Sequence, residues 1–165
     1  MNVRVEAGGV LVRPATEADI DVLAEHRVAL RIEEHGLPLE LRQPARDATV
    51  ATYAQLIANG EFLAWIGERD DAVAGSVCAW LRRMLPMEDG RRPLDARVQA
   101  MYIVPAHRRS GLGTALMNAL LDAMRELGVR RVYLHPSDAG RRFYPAFGFV
   151  PSEEMELILA SRESL

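Results

Sequence analysis

The residues best suited to chemistry form one short run, Arg108-Arg109-Ser110-Gly111-Leu112-Gly113. It follows an apolar stretch, Val98–Val104, stopped by Pro105, and leads into a long pattern of apolar residues at helical spacing. The first amides of a helix lack internal partners, and the helix dipole places partial positive charge there. Glycine lets backbone approach a ligand closely. Arginine adds a full charge with forked donors suited to phosphate oxygens. A strand, a basic glycine-containing turn and a helix start therefore read as an anion cradle. The triphosphate-binding loop is excluded, because no Gly-Lys-Ser/Thr follows at the required spacing. The dinucleotide fingerprint is excluded because position 116 is leucine where a third glycine belongs.

What remains is Arg108-x-x-Gly111-x-Gly113 preceded by Met101-Tyr102-Ile103-Val104-Pro105, and followed by Phe143-Tyr144-Pro145-Ala146-Phe147-Gly148-Phe149. In order and spacing these two motifs resemble the acyl-CoA-binding signature and the later Tyr-x-x-x-Gly-Phe segment of the GCN5-related N-acetyltransferases (GNAT). The resemblance implies acetyl-CoA as cosubstrate, a primary amine of a small molecule or peptide as acceptor, direct transfer in a ternary complex and no metal. It implies that Arg108, Arg109, Ser110, Gly111, Leu112, Gly113 and Thr114 hold the pyrophosphate. It also implies that the backbone of Met101, Tyr102 and Ile103 meets the pantetheine arm, with the Ile103 N–H polarising the thioester carbonyl. Ser137 stands where many relatives carry an asparagine near the pantetheine.

Acetylation of an amine requires loss of a proton from the acceptor, donors for the tetrahedral oxyanion, and an acid for the leaving thiolate. Tyr144 matches the position of the family's acid; the other reading is aromatic packing with Phe143, Phe147 and Phe149. The glutamate that many relatives place on the strand before the signature is absent, with Arg97 and Gln99 in its place. Gln99 holding a water, or His135, whose ordinary pKa is near neutrality, are the candidate proton acceptors. Glu33, Glu34, Glu88 and Asp89 would suit a cationic acceptor, with Glu33 and Glu34 the candidate binding residues, and the loops 35–47 and 84–95 are expected to set specificity. A binding module that keeps the cradle and lacks catalysis is the rival reading.

The elements that must position these residues follow from periodicity. A strand at Val10–Arg13 is stopped by Pro14, and Thr16 to Asp19 forms an N-terminal capping signal. A helix follows with Ile20, Leu23, Ala24, Val28 and Ile32 on one face. After Gly36-Leu37-Pro38 an irregular stretch runs to about Arg46, then a helix covers Ala48–Ala58. Phe62–Ile66 and Val73–Leu81 are strands joined by a hairpin at Asp70-Asp71. Residues 84–95 form a loop before the strand Val98–Val104. The helix from Ser110 or Gly111 carries Leu112, Ala115, Leu116, Ala119, Leu120, Ala123, Met124 and Leu127, and ends at Gly128. Val129–His135 is a strand, Asp138–Phe147 a short helix ended by Gly148, and Glu156–Ala160 a last strand.

The fold class is thus α/β, a mixed, mostly antiparallel sheet flanked by helices with a central βαβ unit, which the resemblance implies is the acyl-CoA-binding unit of the GNAT fold. It is read as one domain over residues 1–165, with 1–8 as a loose extension. Of the 165 residues, 49% are apolar and 26% charged, a globular balance. The net charge of −3 disfavours nucleic acid as a partner. The charge is uneven: basic pairs at Arg108-Arg109, Arg130-Arg131 and Arg141-Arg142 contrast with acids in the first half. No run is apolar enough to span a membrane and no signal peptide is evident, so the expected location is cytoplasmic. Cys78, the single cysteine, reads as buried and inert, and the four histidines lack metal-ligand spacing. Oligomeric state is left open, homodimers being common in the family.

Overall fold

The computed structural model describes residues 5–7, 9–138, 140–155 and 157. The chain divides into two compact units, Met1–His135 and Pro136–Leu165.

Among the described residues of the first unit, six strands make one sheet in the order β1-β2-β3-β4-β5-β6. They are β1 (Val5–Ala7), β2 (Val10–Pro14), β3 (Phe62–Arg69), β4 (Ala72–Arg83), β5 (Leu94–Ile103) and β6 (Val129–Tyr133). All neighbours are antiparallel except β5 and β6, which are parallel. The β3–β4 connection is the expected two-residue turn. Asp70 and Asp71 both have positive φ (52° and 59°), the conformation that matches the twist of a hairpin. The expectation of a loose segment over 1–8 is corrected at residues 5–7, which pair with β2.

Three helices accompany the sheet: α1 (Ile20–His35), α2 (Leu39–Ala58) and α3 (Leu112–Glu126). The alternation of strand side chains separates two faces. Leu23 of α1 and Tyr53 of α2 pack with Phe62, Ala64, Ile66, Cys78 and Ala100. The Tyr53 and Phe62 rings lie 4.6 Å apart, and burial pushes the Cys78 thiol pKa up, so the cysteine is a small apolar filler. On α3, Leu112, Leu116, Met117, Leu120, Leu121, Ala123 and Met124 are buried. Leu127, expected on that face, lies past the helix end and is 47% exposed. Trp65 is core, whereas Trp80 is 39% exposed.

The irregular stretch expected before residue 46 is corrected: α2 starts at Leu39 and carries Pro44 inside it. Proline removes one helical hydrogen bond, which is why the segment reads as broken. Tertiary contacts offset this. Arg46 donates to Asp21 at 2.6 Å and to Glu25 at 3.5 Å, both on α1. The entry to α1 is held by a capping box in which the Thr16 hydroxyl and N–H both donate to Asp19. Arg13 grips the same carboxylate through two nitrogens at 2.8 Å and reaches Glu68 on β3 at 2.8 Å.

In the second unit, the helix expected over Asp138–Phe147 is corrected to two 3-10 turns, Gly140–Arg142 and Tyr144–Phe147. Gly148 closes the second with φ +87°, as its composition suggests. The expected last strand, Glu156–Ala160, lies outside the described residues except Leu157, which has no regular structure.

Asp19 is 8% exposed, and Arg13 with Thr16 holds its pKa down at about 2. Its ionised form therefore stabilises the fold above the ordinary carboxylate pKa, and that contribution is lost as pH falls toward 2. Asp19→Asn is expected to cost about 2 kcal/mol at neutral pH and to flatten the acid limb of stability, measured by urea denaturation across pH.

Candidate active site

The segment read from the sequence as a candidate cradle comprises the end of β5, a 3-10 turn at Pro105–His107, and the start of α3. Arg109 (φ 60°) and Gly111 (φ 84°) both take left-handed conformations, which turn the chain sharply into the helix. Gly111 is the N-cap, and no side chain caps α3. Ser110, the residue most able to do so, instead donates to the His107 carbonyl at 2.7 Å. The first-turn amides of Leu112, Gly113 and Thr114 thus keep no side-chain acceptor, and the dipole end of α3 is presented to a ligand.

What seats that helix end is a pair of glycines facing each other across the β3–β4 ladder, Gly67 and Gly75. A Cβ on Gly67 would lie 2.4 Å from Leu112 Cδ1. One on Gly75 would lie 2.7 Å from Ile103 Cδ1 and 2.8 Å from the Tyr102 carbonyl oxygen. Leu112, 1% exposed, fills the hollow they leave, so α3 begins directly over the sheet beside the end of β5. The sequence motif marked residues 108–113; nothing in it pointed to the two glycines, which matter only through the ladder that pairs them.

β5 and β6 pair only from Leu94↔Val129 to Arg97↔Tyr133. Val98–Ile103, including Met101, Tyr102 and Ile103, therefore runs on without a β6 partner. A second irregularity coincides with this. Val98 pairs with Ala79 and Ala100 with Cys78, leaving Gln99 as an extra residue in a bulge. Such a bulge locally disrupts a ladder and re-aims side chains. Gln99 is partly buried there, and His135 is exposed two residues beyond the end of β6.

The two arginines do not share one role. Arg109 is exposed and has no acidic partner among the described residues. Arg108 reaches both carboxylate oxygens of Glu33 at 2.7 and 2.8 Å, while its Nε donates to the Ile103 carbonyl at 3.0 Å. Its guanidinium also lies 5.7 Å from the centre of the Tyr102 ring, and the Tyr102 hydroxyl donates to Glu33 at 3.2 Å. Glu33, expected to face an acceptor, is thus tied to the cradle, whereas Glu34 is exposed and 3.8 Å from His35. The sequence reading missed His26. It is 7% exposed, bonds the Ser76 hydroxyl through Nδ1 at 2.8 Å, and packs its ring, tilted by 44°, 5.1 Å from that of Tyr102. Burial lowers its pKa, so it is a neutral support beneath Tyr102. Its spacing from Leu23, at i+3, was the available signal.

In the second unit, the Ser137 hydroxyl accepts from the Gly140 N–H at 3.2 Å, and the Ser137 carbonyl accepts from the Arg141 N–H at 3.0 Å. Tyr144 is half-buried, its ring edge-on to Phe143 (5.4 Å) and Phe149 (5.7 Å). Gly140 lets it approach, since a Cβ there would stand 2.9 Å from Tyr144 Cε2. Pro145 lies in the first positions of its turn, where a missing N–H is tolerated. Among the described residues, no group of three or more His, Cys, Asp or Glu side chains suited to a metal occurs, and no helix is long and apolar enough to cross a membrane.

Gly75→Ala would press on backbone rather than on a movable side-chain tip. It is expected to lower stability by about 1–3 kcal/mol and to displace the end of β5, visible as altered amide protection at Met101–Ile103. For His26, the folded pKa lies below the ordinary 6.5. As pH falls below about 6.5, the unfolded chain takes a proton that the folded chain resists, so stability declines. His26→Gln is expected to remove that slope in denaturation curves between neutral and mildly acidic pH.

A family model for the acetyltransferase (GNAT) family matches residues 28–149. Among solved structures, the chain is similar to a GCN5-related N-acetyltransferase from Ralstonia eutropha JMP134, at TM-score 0.80 and 24% identity, over 93% of this chain and 100% of that one. It is also similar to a predicted acetyltransferase from Clostridium acetobutylicum solved with acetyl-CoA, at TM-score 0.77 and 20% identity, over 91% and 96%. A third likeness is to glucosamine-6-phosphate N-acetyltransferase from Arabidopsis thaliana, at TM-score 0.69 and 13% identity, over 92% and 99%. At such identities these structures speak to the fold. A search of curated proteins finds no match. With the family model spanning both the α3 cradle and the Tyr144 segment, the chain belongs to the acetyltransferase (GNAT) family.

Proposed function

We propose that this chain transfers the acetyl group of acetyl-CoA directly to a primary amine of a small molecule or peptide. The observation that carries the reading is the uncapped first turn of α3, set beside a β5 that continues past its pairing with β6. The amides of Leu112, Gly113 and Thr114 and the charge of Arg109 suit a pyrophosphate. The unpaired stretch Met101–Ile103 suits an amide-bearing arm, such as pantetheine, that adds to an open strand edge.

In the reaction, the amine lone pair attacks the thioester carbon and the carbonyl becomes an oxyanion. Collapse breaks the C–S bond, and the thiolate takes a proton from Tyr144. The ammonium proton leaves to water held at Gln99 or to His135. Arg108 serves this site from its flank, by bridging Glu33 of α1 to the Ile103 carbonyl. Neither Arg97 nor Gln99 is a base, and this favours the second reading, a catalytically weak acyl-CoA-binding module.

Acetyl-CoA turnover with a panel of amines, followed by thiol release, decides between them. Tyr144→Phe is expected to lower kcat by about a hundredfold with unchanged CoA affinity; full activity in this variant would remove the acid role. CoA binding without turnover across the panel would establish the binding module. Arg109→Gln is expected to weaken CoA binding by roughly three- to tenfold and to reduce its salt dependence, read by calorimetric titration at two ionic strengths.

A further inference from the structure

The hairpin between β4 and β5 carries a concentration of charge that the acetyl-transfer reading does not use. Arg82 and Arg83 end β4, and Arg92 stands just before β5. With Met84, Leu85 and Pro86 they line a cavity of about 440 Å³. The loop is held by its own backbone. Met84 N–H donates to the Pro93 carbonyl and Met87 N–H to the Arg91 carbonyl, each at 2.8 Å, and Gly90 N–H closes a turn onto Met87 at 2.9 Å.

The neighbouring acids do not neutralise these arginines. Asp89 is engaged by the backbone N–H and the guanidinium of Arg91. Asp95 faces Arg82 across the ladder but is 2% exposed, and its ion pair among the described residues is with Arg130 at 3.9 Å. Glu88 is exposed and does not line the cavity. Among the described residues, Arg82, Arg83 and Arg92 have no acidic partner. Three like charges around one hollow repel one another, and an oxyanion entering it converts that repulsion into attraction. Guanidinium forks match the oxygens of a phosphate, and Met84, Leu85 and Pro86 offer apolar contact to whatever carries it. The sequence had suggested this loop, through Glu88 and Asp89, as a place for a cationic acceptor; its cavity has the opposite charge.

We infer that the β4–β5 hairpin is a second anion site, separate from the α3 cradle, which binds a phosphate monoester on a small apolar body. The test is calorimetric titration of the full chain with phenyl phosphate, with CoA present to occupy the α3 cradle. Saturable binding is expected, with phenol inert. The double variant Arg82→Gln/Arg92→Gln should lose roughly tenfold or more in affinity, whereas Arg109→Gln, in the cradle, should leave it unchanged. That last comparison separates this site from the acetyl-CoA reading, since either can fail alone. Arg82, Arg83 and Arg92 are all exposed, so the double variant should melt with the parent protein; if it does not, Arg83→Gln is the replacement. Co-sedimentation with phosphatidylcholine vesicles containing phosphatidic acid forms a second arm. Binding there that the double variant abolishes assigns the phosphate to a lipid headgroup, and binding of phenyl phosphate alone assigns it to a soluble ligand. No binding in either arm, or binding undiminished by the double variant, overturns the proposal.

Discussion

The contact on which the cradle depends is Leu112 set into the hollow over Gly67 and Gly75. A side chain at either glycine would lift the first turn of α3 away from the sheet or drive into the backbone of β5. Close packing then fixes three things together: where α3 starts, where β5 ends, and the sharp left-handed path of Arg109 and Gly111 between them. A helix terminus attracts anions wherever it is. It becomes part of a candidate site here because burial of one leucine decides what stands next to it.

The parting of β5 from β6 is the second condition. Parallel strands normally continue their ladder, and unpaired backbone groups are costly unless something satisfies them. The bulge at Gln99 lies where the β5–β6 pairing has just stopped. It also reverses the alternation along β5, so Ala100 and Tyr102 face α1 while Ala96 and Val98 face the opposite side. This is why Tyr102 meets His26 and Glu33 instead of α3. The resulting chain of contacts, Ser76 to His26 to Tyr102 to Glu33 and Arg108, ties α1 to the end of β5. An arginine that a motif would assign to phosphate is thereby shared with the frame of the site.

Legibility differed among elements for identifiable reasons. The hairpin at Asp70-Asp71, the capping box at Thr16 and Asp19, and the glycine stops at 128 and 148 were all readable, because turn and cap chemistry is local. The first nine residues of α2, Leu39 to Asp47, were not. Pro44 and the polar sequence around it argue for a loop, and only ion pairs from Arg46 to α1 show why it is helical. The split of the 138–147 segment into two 3-10 turns was equally hidden, since Gly140 serves there as the space for Tyr144, a use that appears only in three dimensions.

By itself, the sequence determined the family and marked one strand–turn–helix segment as the candidate anion cradle. Those rest on residue types at short fixed spacings, a signal carried along the chain itself. The tertiary structure decided which charges the cradle can present. Glu33 lies 75 residues before Arg108 in sequence, and the glycines under Leu112 come from two other strands. Such pairings are set by sheet register and helix packing, which bring together residues whose spacing along the chain carries no signal.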